Sequence, residues 1–198
     1  MEGELQLARN IQLSLFPKAF PGAMEFDLFV ENWPAYFVAG DFYDFFFTGK
    51  DTFVFAIADV SGKGISAAMF MVMAHTLLRK LASLEKSPAE VLNDINRFLL
   101  EKNEMGMFVT MFLGYYNIHK GIIRYANAGH PQPFCFNAEG QFRKFGVVSG
   151  VPLGISDALK TKEEKENLGV NETLVLFTDG FPEARTPAGE FLNEERFQ

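Results

Sequence analysis

Residues 41–59 read Asp41-Phe42-Tyr43-Asp44-Phe45-Phe46-Phe47-Thr48-Gly49-Lys50-Asp51-Thr52-Phe53-Val54-Phe55-Ala56-Ile57-Ala58-Asp59. Two aromatic and β-branched runs, Asp41 to Phe47 and Thr52 to Ala58, flank the polar segment Thr48-Gly49-Lys50-Asp51, the pattern of a β-hairpin with a short turn. With the turn centred near Gly49-Lys50, residues whose numbers sum to about 100 lie opposite one another, so Asp41 faces Asp59 at the open end of the ladder. Directly opposed residues have Cβ atoms roughly 4.5–5.5 Å apart. Two bare carboxylates at that separation repel, and at least one must have a raised pKa. A divalent cation between them removes the conflict. Aspartate oxygens are hard ligands suited to Mg²⁺ or Mn²⁺, and no His/Cys cluster suggests zinc.

Asp179, in Thr178-Asp179-Gly180 at the end of a predicted strand, is a third acid in the same type of place. Asp44 ranks lower, because an odd offset from Asp41 turns it to the opposite face of a regular strand. Each acid also has a plainer reading. Asp179-Gly180 is a common turn signal, and Asp59 suits the approach to a helix. Those readings explain the acids singly but not the opposition of Asp41 and Asp59.

Outward from the hairpin, Glu4 to Phe16 places Leu5, Ala8, Ile11, Gln12 and Leu15 at helical spacing before Pro17. Met24 to Val38 is strand-like but irregular. Beyond the hairpin, Gly62 and Gly64 break the pattern, and a helix is predicted from about Ile65 to Leu84. Ser87-Pro88-Ala89-Glu90 has a capping box with proline at the first helical position, and that helix runs to about Lys102. Strands are predicted for Met107 to Ile118, Ile122 to Asn127, Pro133 to Phe136, Gln141 to Phe145 and Glu172 to Phe177. Strands, then a helix pair, then strands again imply an α+β fold with antiparallel sheet and helices packed on it.

Composition bounds the function. The 198 residues suit one domain or one domain with a short appendage, and a hydrophobic fraction of 48% with 23 Phe fills a sizeable core. A net charge of −7 argues against a general nucleic-acid or anionic-membrane binder. No stretch reads as a membrane span or a signal peptide, and the lone Cys135 allows no internal disulfide, which fits a reducing cytosol. An acidic protein that handles phosphate needs a local device for that charge, and a metal cluster is one.

Five ordered motifs resemble those of the SpoIIE/RsbU phosphatases, the bacterial branch of the metal-dependent (PPM, type 2C-like) protein phosphatases. They are Val38-Ala39-Gly40-Asp41-Phe42-Tyr43-Asp44, Asp59-Val60-Ser61-Gly62-Lys63-Gly64, Ala126-Asn127-Ala128-Gly129-His130, Pro152-Leu153-Gly154-Ile155 and Thr178-Asp179-Gly180. The resemblance covers about Leu5 to Glu190. It implies an αββα sandwich of two mostly antiparallel sheets, with residues 1–20 as a linker or switch helix and 21–198 as the phosphatase domain. It implies two Mn²⁺ or Mg²⁺ ions. Asp41, Asp59 and the Val60 backbone carbonyl would hold one ion, and Asp59 and Asp179 the other. The implied chemistry is in-line attack of a metal-activated water on phosphoserine or phosphothreonine. The implied substrate is a phosphorylated STAS-type anti-anti-sigma protein, with a sensory domain preceding the opening helix.

Other residues carry two readings. Ser61 stands where the wider superfamily has a histidine. Gly62-Lys63-Gly64 either cradles phosphate or makes a tight strand-to-helix turn, and it lacks P-loop spacing. His130 is either a general acid or structural. The opening helix suits a homodimer or packing on its own domain. Ala39 stands where glycine is usual, and no Asp-Asp-x-Thr motif follows the Gly189-Glu190-Phe191 region. That departure implies a missing ligand and strand, and a weaker second metal. It keeps open a catalytically impaired signalling module of the same fold.

Overall fold

A computed structural model describes residues 2–19, 22, 25–34, 36–83, 85–158 and 160–184. The boundary expected at residues 20/21 and the Gly189-Glu190-Phe191 region lie outside these residues. In chain order the elements are α1 (Glu2–Leu15), β1 (Phe42–Thr48), β2 (Thr52–Val60), α2 (Ile65–Ala82), α3 (Pro88–Lys102), β3 (Val109–Asn117), β4 (Ile122–Ala128), β5 (Phe134–Phe136), β6 (Phe142–Lys144), β7 (Glu164–Asn167) and β8 (Thr173–Val175).

The expected hairpin forms with the expected register, running from Phe42 opposite Ala58 to Thr48 opposite Thr52. Further antiparallel pairing builds a five-stranded sheet in the order β1-β2-β3-β4-β7, beside a three-stranded sheet in the order β6-β5-β8. Alternation along β2 divides the interior. Val54, Ala56, Ala58 and Val60 face the helix pair, where they pack with Met71, Ala74, Leu78, Leu92, Ile95 and Leu99. Phe55 and Ile57 face the other way, onto a second cluster with Phe112, Tyr125 and Phe145. Rings stack across that face, Phe55 on Phe112 at 6.1 Å and Phe112 on Tyr125 at 5.2 Å between centroids. Among the described residues the architecture is an α+β sandwich of one helix layer and two antiparallel sheets.

Local chemistry sets the helix limits. At α3 the Ser87 hydroxyl accepts from the Glu90 N–H and the Glu90 carboxylate accepts from the Ser87 N–H, with Pro88 in the first turn. Such a capping box contributes about 1 kcal/mol. α2 begins at Gly64, whose φ of 76° favours glycine, with no side-chain cap. Contrary to the reading of the sequence, α2 is apolar and long enough at 18 residues to cross a membrane by length and composition. Its Ala67, Met71, Ala74 and Leu78 are nevertheless fully buried against the sheet.

Two expectations need correction. The described residues between Glu25 and Val38 form no strand; Phe29 and Trp33 are 81% and 84% exposed there, so their spacing has no sheet to pair with. Phe26 packs against Phe53 at 4.7 Å, and Val38 is buried at the end of the segment. Conversely, β7 (Glu-Lys-Glu-Asn) went unread, because a charged edge strand carries no apolar alternation.

Candidate metal centre

β1 is assigned from Phe42, and continuing its register by one residue sets Asp41 opposite Asp59. Both acids lie on the odd face, toward the gap between the sheets, at the end of the hairpin away from its turn. The Asp41 carboxyl lies close enough to Asp59 to raise its pKa. Burial is the main cause that pushes the Asp59 pKa up, to about 8, followed by the contact with Asp41 and the negative charges of Asp41 and Asp179. The Val60 N–H opposes this only in part. Two carboxylates so placed repel, and a cation between them relieves that cost.

Asp179 follows β8, in the other sheet. It is exposed, and its pKa is raised by partial burial first and by the charges of Glu183 and Asp41 next, against the Gly180 N–H and Lys63. It therefore acts on the pair through its field, at longer range. Among the described residues no three His, Cys, Asp or Glu side chains stand at metal-ligand spacing. The opposed pair is Asp41 and Asp59, and the bond that ties it to the second sheet comes from Thr178, whose Oγ1 donates to Asp41 Oδ2 at 2.8 Å.

The approach to Asp41 is tight. A Cβ on Gly40 would lie 2.9 Å from the Val60 carbonyl oxygen and 3.3 Å from the Val60 Cβ, so only glycine lets this backbone pass. The same contact places the Val60 carbonyl beside Gly40-Asp41, on the side of the acid pair. Two carboxylates and a neighbouring carbonyl form an all-oxygen donor set, which fits a hard divalent ion. The residues present thus fit Mn²⁺ or Mg²⁺ at Asp41 and Asp59.

The remaining candidates separate by position. Ser61 pins the start of β3, donating its N–H to the Phe108 carbonyl at 2.9 Å and accepting from the Phe108 N–H at 2.8 Å. Gly62 and Gly64 have φ of 90° and 76°, which makes Gly62-Lys63-Gly64 a tight turn between β2 and α2. Lys63 is exposed on that turn and close enough to lower the Asp179 pKa. His130 lies inside, 2% exposed, with Nδ1 2.9 Å from the Thr110 hydroxyl, and Thr110 is the register partner of Asp59. Burial pushes its pKa down to about 4. Its Nε2 makes no bond of normal geometry, although the Phe177 backbone is close enough to favour the protonated ring. The Asn127 amide clasps the His130 backbone, accepting from its N–H at 2.8 Å and donating to its carbonyl at 3.0 Å. The Ala126–His130 motif is thus a locked turn below the acids.

Asp44 points to the helix face, as its odd offset implied. There Oδ1 accepts from Arg79 at 2.9 Å and from the Phe45 N–H at 2.8 Å, and Oδ2 lies 3.4 Å from His75 Nε2. It joins β1 to α2 and takes no part in the acid pair.

Sequence reading missed Thr178 as a partner of Asp41. It also missed Gln12, whose amide bonds both backbone groups of Ala39. A polar residue inside the stripe Leu5, Ala8, Gln12, Leu15 was the available signal.

The chain belongs to the SpoIIE family: the family described as Stage II sporulation protein E (SpoIIE) matches residues 49–198. It is 33% identical over 198 residues to phosphoserine phosphatase RsbU of Bacillus subtilis (strain 168), spanning 100% of this chain and 58% of that relative. Among solved structures it resembles the RsbU and RsbW domains of Rv1364c from Mycobacterium tuberculosis, with 28% identity and a TM-score of 0.66 over 75% of this chain and 41% of that one. The SiaA-PP2C domain of Pseudomonas aeruginosa shares the fold over 99% of this chain and 79% of its own, with a TM-score of 0.82 at 19% identity.

Proposed function

We propose that this chain is the phosphatase domain of a metal-dependent protein serine/threonine phosphatase that hydrolyses phosphoserine or phosphothreonine on a regulatory protein. The observation that carries this reading is the opposition of Asp41 and Asp59 across the open end of the hairpin, where their charges raise the Asp59 pKa. Fold stability gives no reason to hold two acids together there, because in the absence of a cation the arrangement costs free energy.

When bound, Mn²⁺ or Mg²⁺ supplies Lewis acidity that lowers the pKa of a ligated water and neutralises the phosphoryl group. Asp41, Asp59 and the Val60 carbonyl would hold the ion at the first position, with Thr178 keeping Asp41 in orientation. Asp59 and Asp179 would hold a second, weaker one. Lys63, on its exposed turn beside Asp179, offers the incoming phosphate a positive charge. Ile65 and Met69, one helical turn apart and 62% and 65% exposed at the start of α2, offer apolar surface beside that turn, which suits a protein substrate. The family resemblance makes a STAS-type phosphoprotein the substrate we infer, in a bacterial cytoplasm.

The lack of a third side-chain ligand among the described residues favours one second reading, an impaired module of the same fold that binds a partner without turning it over. Phosphate release from a phosphoserine STAS protein, with and without Mn²⁺ and with Asp59→Asn alongside, decides between them. Release that needs both Mn²⁺ and Asp59 establishes the phosphatase. Tight binding of the phosphoprotein without release establishes the module.

A further inference from the structure

The reaction outlined above gives His130 no task, yet the residue is buried with a polar ring. Its Nδ1 lies 2.9 Å from the Thr110 hydroxyl and its Nε2 is buried, so neither nitrogen faces solvent. A general acid has to reach the leaving group, and this ring does not. The turn that carries it is rigid. Gly129 has a φ of 71°, and a Cβ there would lie 2.6 Å from Pro152 Cδ. The Asn127 amide bonds both backbone groups of His130. A side chain on so fixed a base has one place to go.

That place is between the two sheets. On one side Thr110 belongs to β3 and pairs with Asp59 in the ladder, so the two side chains share a face. On the other side Nε2 makes no bond of normal geometry, but the Phe177 backbone is near enough to favour a proton on the ring, which only its carbonyl can do. The Phe177 ring stacks on Phe134 of β5 at 5.4 Å, which fastens this segment to the three-stranded sheet. The next residue, Thr178, donates to Asp41 Oδ2 at 2.8 Å. One imidazole therefore lies between the ladder partner of Asp59 and the segment that orients Asp41.

We infer that His130 is a positioning residue, a strut between Thr110 and the Phe177-Thr178 segment that sets how the Asp59 and Asp41 carboxylates face each other for a divalent ion. The inference rests on the metal reading above. The strut needs one tautomer: Nδ1 accepts from the Thr110 hydroxyl and Nε2–H faces the Phe177 carbonyl. Burial disfavours the charged ring, so this neutral form holds at neutral pH. Without the ring nitrogens, Thr110 and the Phe177 carbonyl lose their common partner. The spacing of the sheets is then no longer fixed at the acid end, and the two carboxylates meet a cation in more than one geometry.

The test is Mn²⁺ titration by calorimetry, with metal-free thermal unfolding measured beside it, on the parent chain, His130→Phe, Thr110→Val and Tyr125→Phe. His130→Phe keeps a ring and removes both nitrogens; Thr110→Val keeps the shape and removes one end of the strut. Tyr125→Phe is the structural comparison, since it removes a phenol that accepts from the Val147 N–H at 2.9 Å and leaves the strut alone. Mn²⁺ binding is expected to be about tenfold weaker in His130→Phe and in Thr110→Val, while Tyr125→Phe melts lower but binds within twofold of the parent. The double variant of His130→Phe with Thr178→Val should bind about as weakly as the weaker single variant, because both act on one segment. Thr110→Val decides the matter if His130→Phe does not fold. His130 and Thr110 variants that bind within twofold of the parent overturn the strut and leave the metal reading standing, as does a Tyr125→Phe protein weakened as much as they are. A parent chain that takes up no Mn²⁺ overturns the metal reading, and the strut with it.

Discussion

Thr178 donates its hydroxyl to Asp41 Oδ2 at 2.8 Å across 137 positions of sequence, joining the three-stranded sheet's last segment to the edge of the five-stranded one. Asp179 is the next residue, so one short segment both orients the first acid and brings up the third. Thr178→Val keeps the shape and removes the bond. A hydrogen bond to a charged group is worth roughly 1.5–3 kcal/mol, and Mn²⁺ affinity is expected to fall about tenfold with little change in secondary structure. Calorimetric titration beside circular dichroism checks this, and unaltered affinity would refute the orienting role.

Replacing Asp59 by Asn is expected to act in opposite directions on function and on the metal-free fold. Phosphate release should disappear, because a carboxylate that would hold the divalent ion is lost. Urea unfolding in chelator should show a stabler protein, because the buried like-charge contact with Asp41 is relieved. A destabilised Asp59→Asn protein would mean the carboxylate is a structural partner rather than a site held open for a cation.

Gly40→Ala tests the close passage beside the acid pair. The new Cβ would meet the Val60 carbonyl oxygen at 2.9 Å, a backbone atom that cannot swing aside. A loss of roughly 1–3 kcal/mol is expected from overpacking, with Mn²⁺ affinity falling further because both Asp41 and the Val60 carbonyl shift. Thermal unfolding and metal titration read the two effects separately, and a protein unchanged in both would contradict the packing described.

The Asp44–His75 pair predicts a hidden pH dependence. Burial raises the Asp44 pKa from 3.8 to about 6 in spite of Arg79 and the Phe45 N–H. Burial, aided by the Arg79 charge, lowers that of His75 from 6.5 to about 4. Between about pH 4 and 6 the folded state holds more protons at Asp44 than the unfolded chain does, so that group's contribution falls as pH rises. Between about pH 4 and 6.5 the unfolded chain holds more at His75, so that contribution rises with pH. The two oppose each other, each on the order of 3 kcal/mol, so together they add little slope to the parent's own profile. His75→Gln should lose stability from pH 4 to 6 and Asp44→Asn should gain it, as measured by urea unfolding across that range. Parallel slopes in the two variants would contradict the pairing.

Much of the site was legible because its geometry is local. A two-strand ladder with a short turn has one register that buries its apolar face, and that register is enough to set Asp41 against Asp59. The odd offset of Asp44 likewise turned it to the helix face, and Ser87, Pro88 and Glu90 marked the start of α3 from four adjacent residues. Glycines at 62 and 64 marked the turn into α2 in the same way.

What lay beyond reading came from contacts between segments distant in sequence. The aromatic spacing of Phe29 and Trp33 suggested a strand, yet a strand exists only where a neighbour offers hydrogen bonds, and none lies beside the described part of that segment. β7 pairs with β4 through its backbone, to which side-chain alternation gives no clue. The burial of His130 depends on Thr110 and on the segment after β8.

The sequence by itself determined the hairpin, its register, the helix pair with its capped α3 and the opposed acids, because each follows from side-chain period, turn residues and caps within a few positions. Tertiary structure alone decided that Thr178 holds Asp41, that Asp179 comes close enough to raise the Asp59 pKa, and that Gln12 grips Ala39 across 27 residues. Hydrogen bonds between segments so far apart leave no periodic trace in either one, and arise only when the packed sheets and helices bring the partners together.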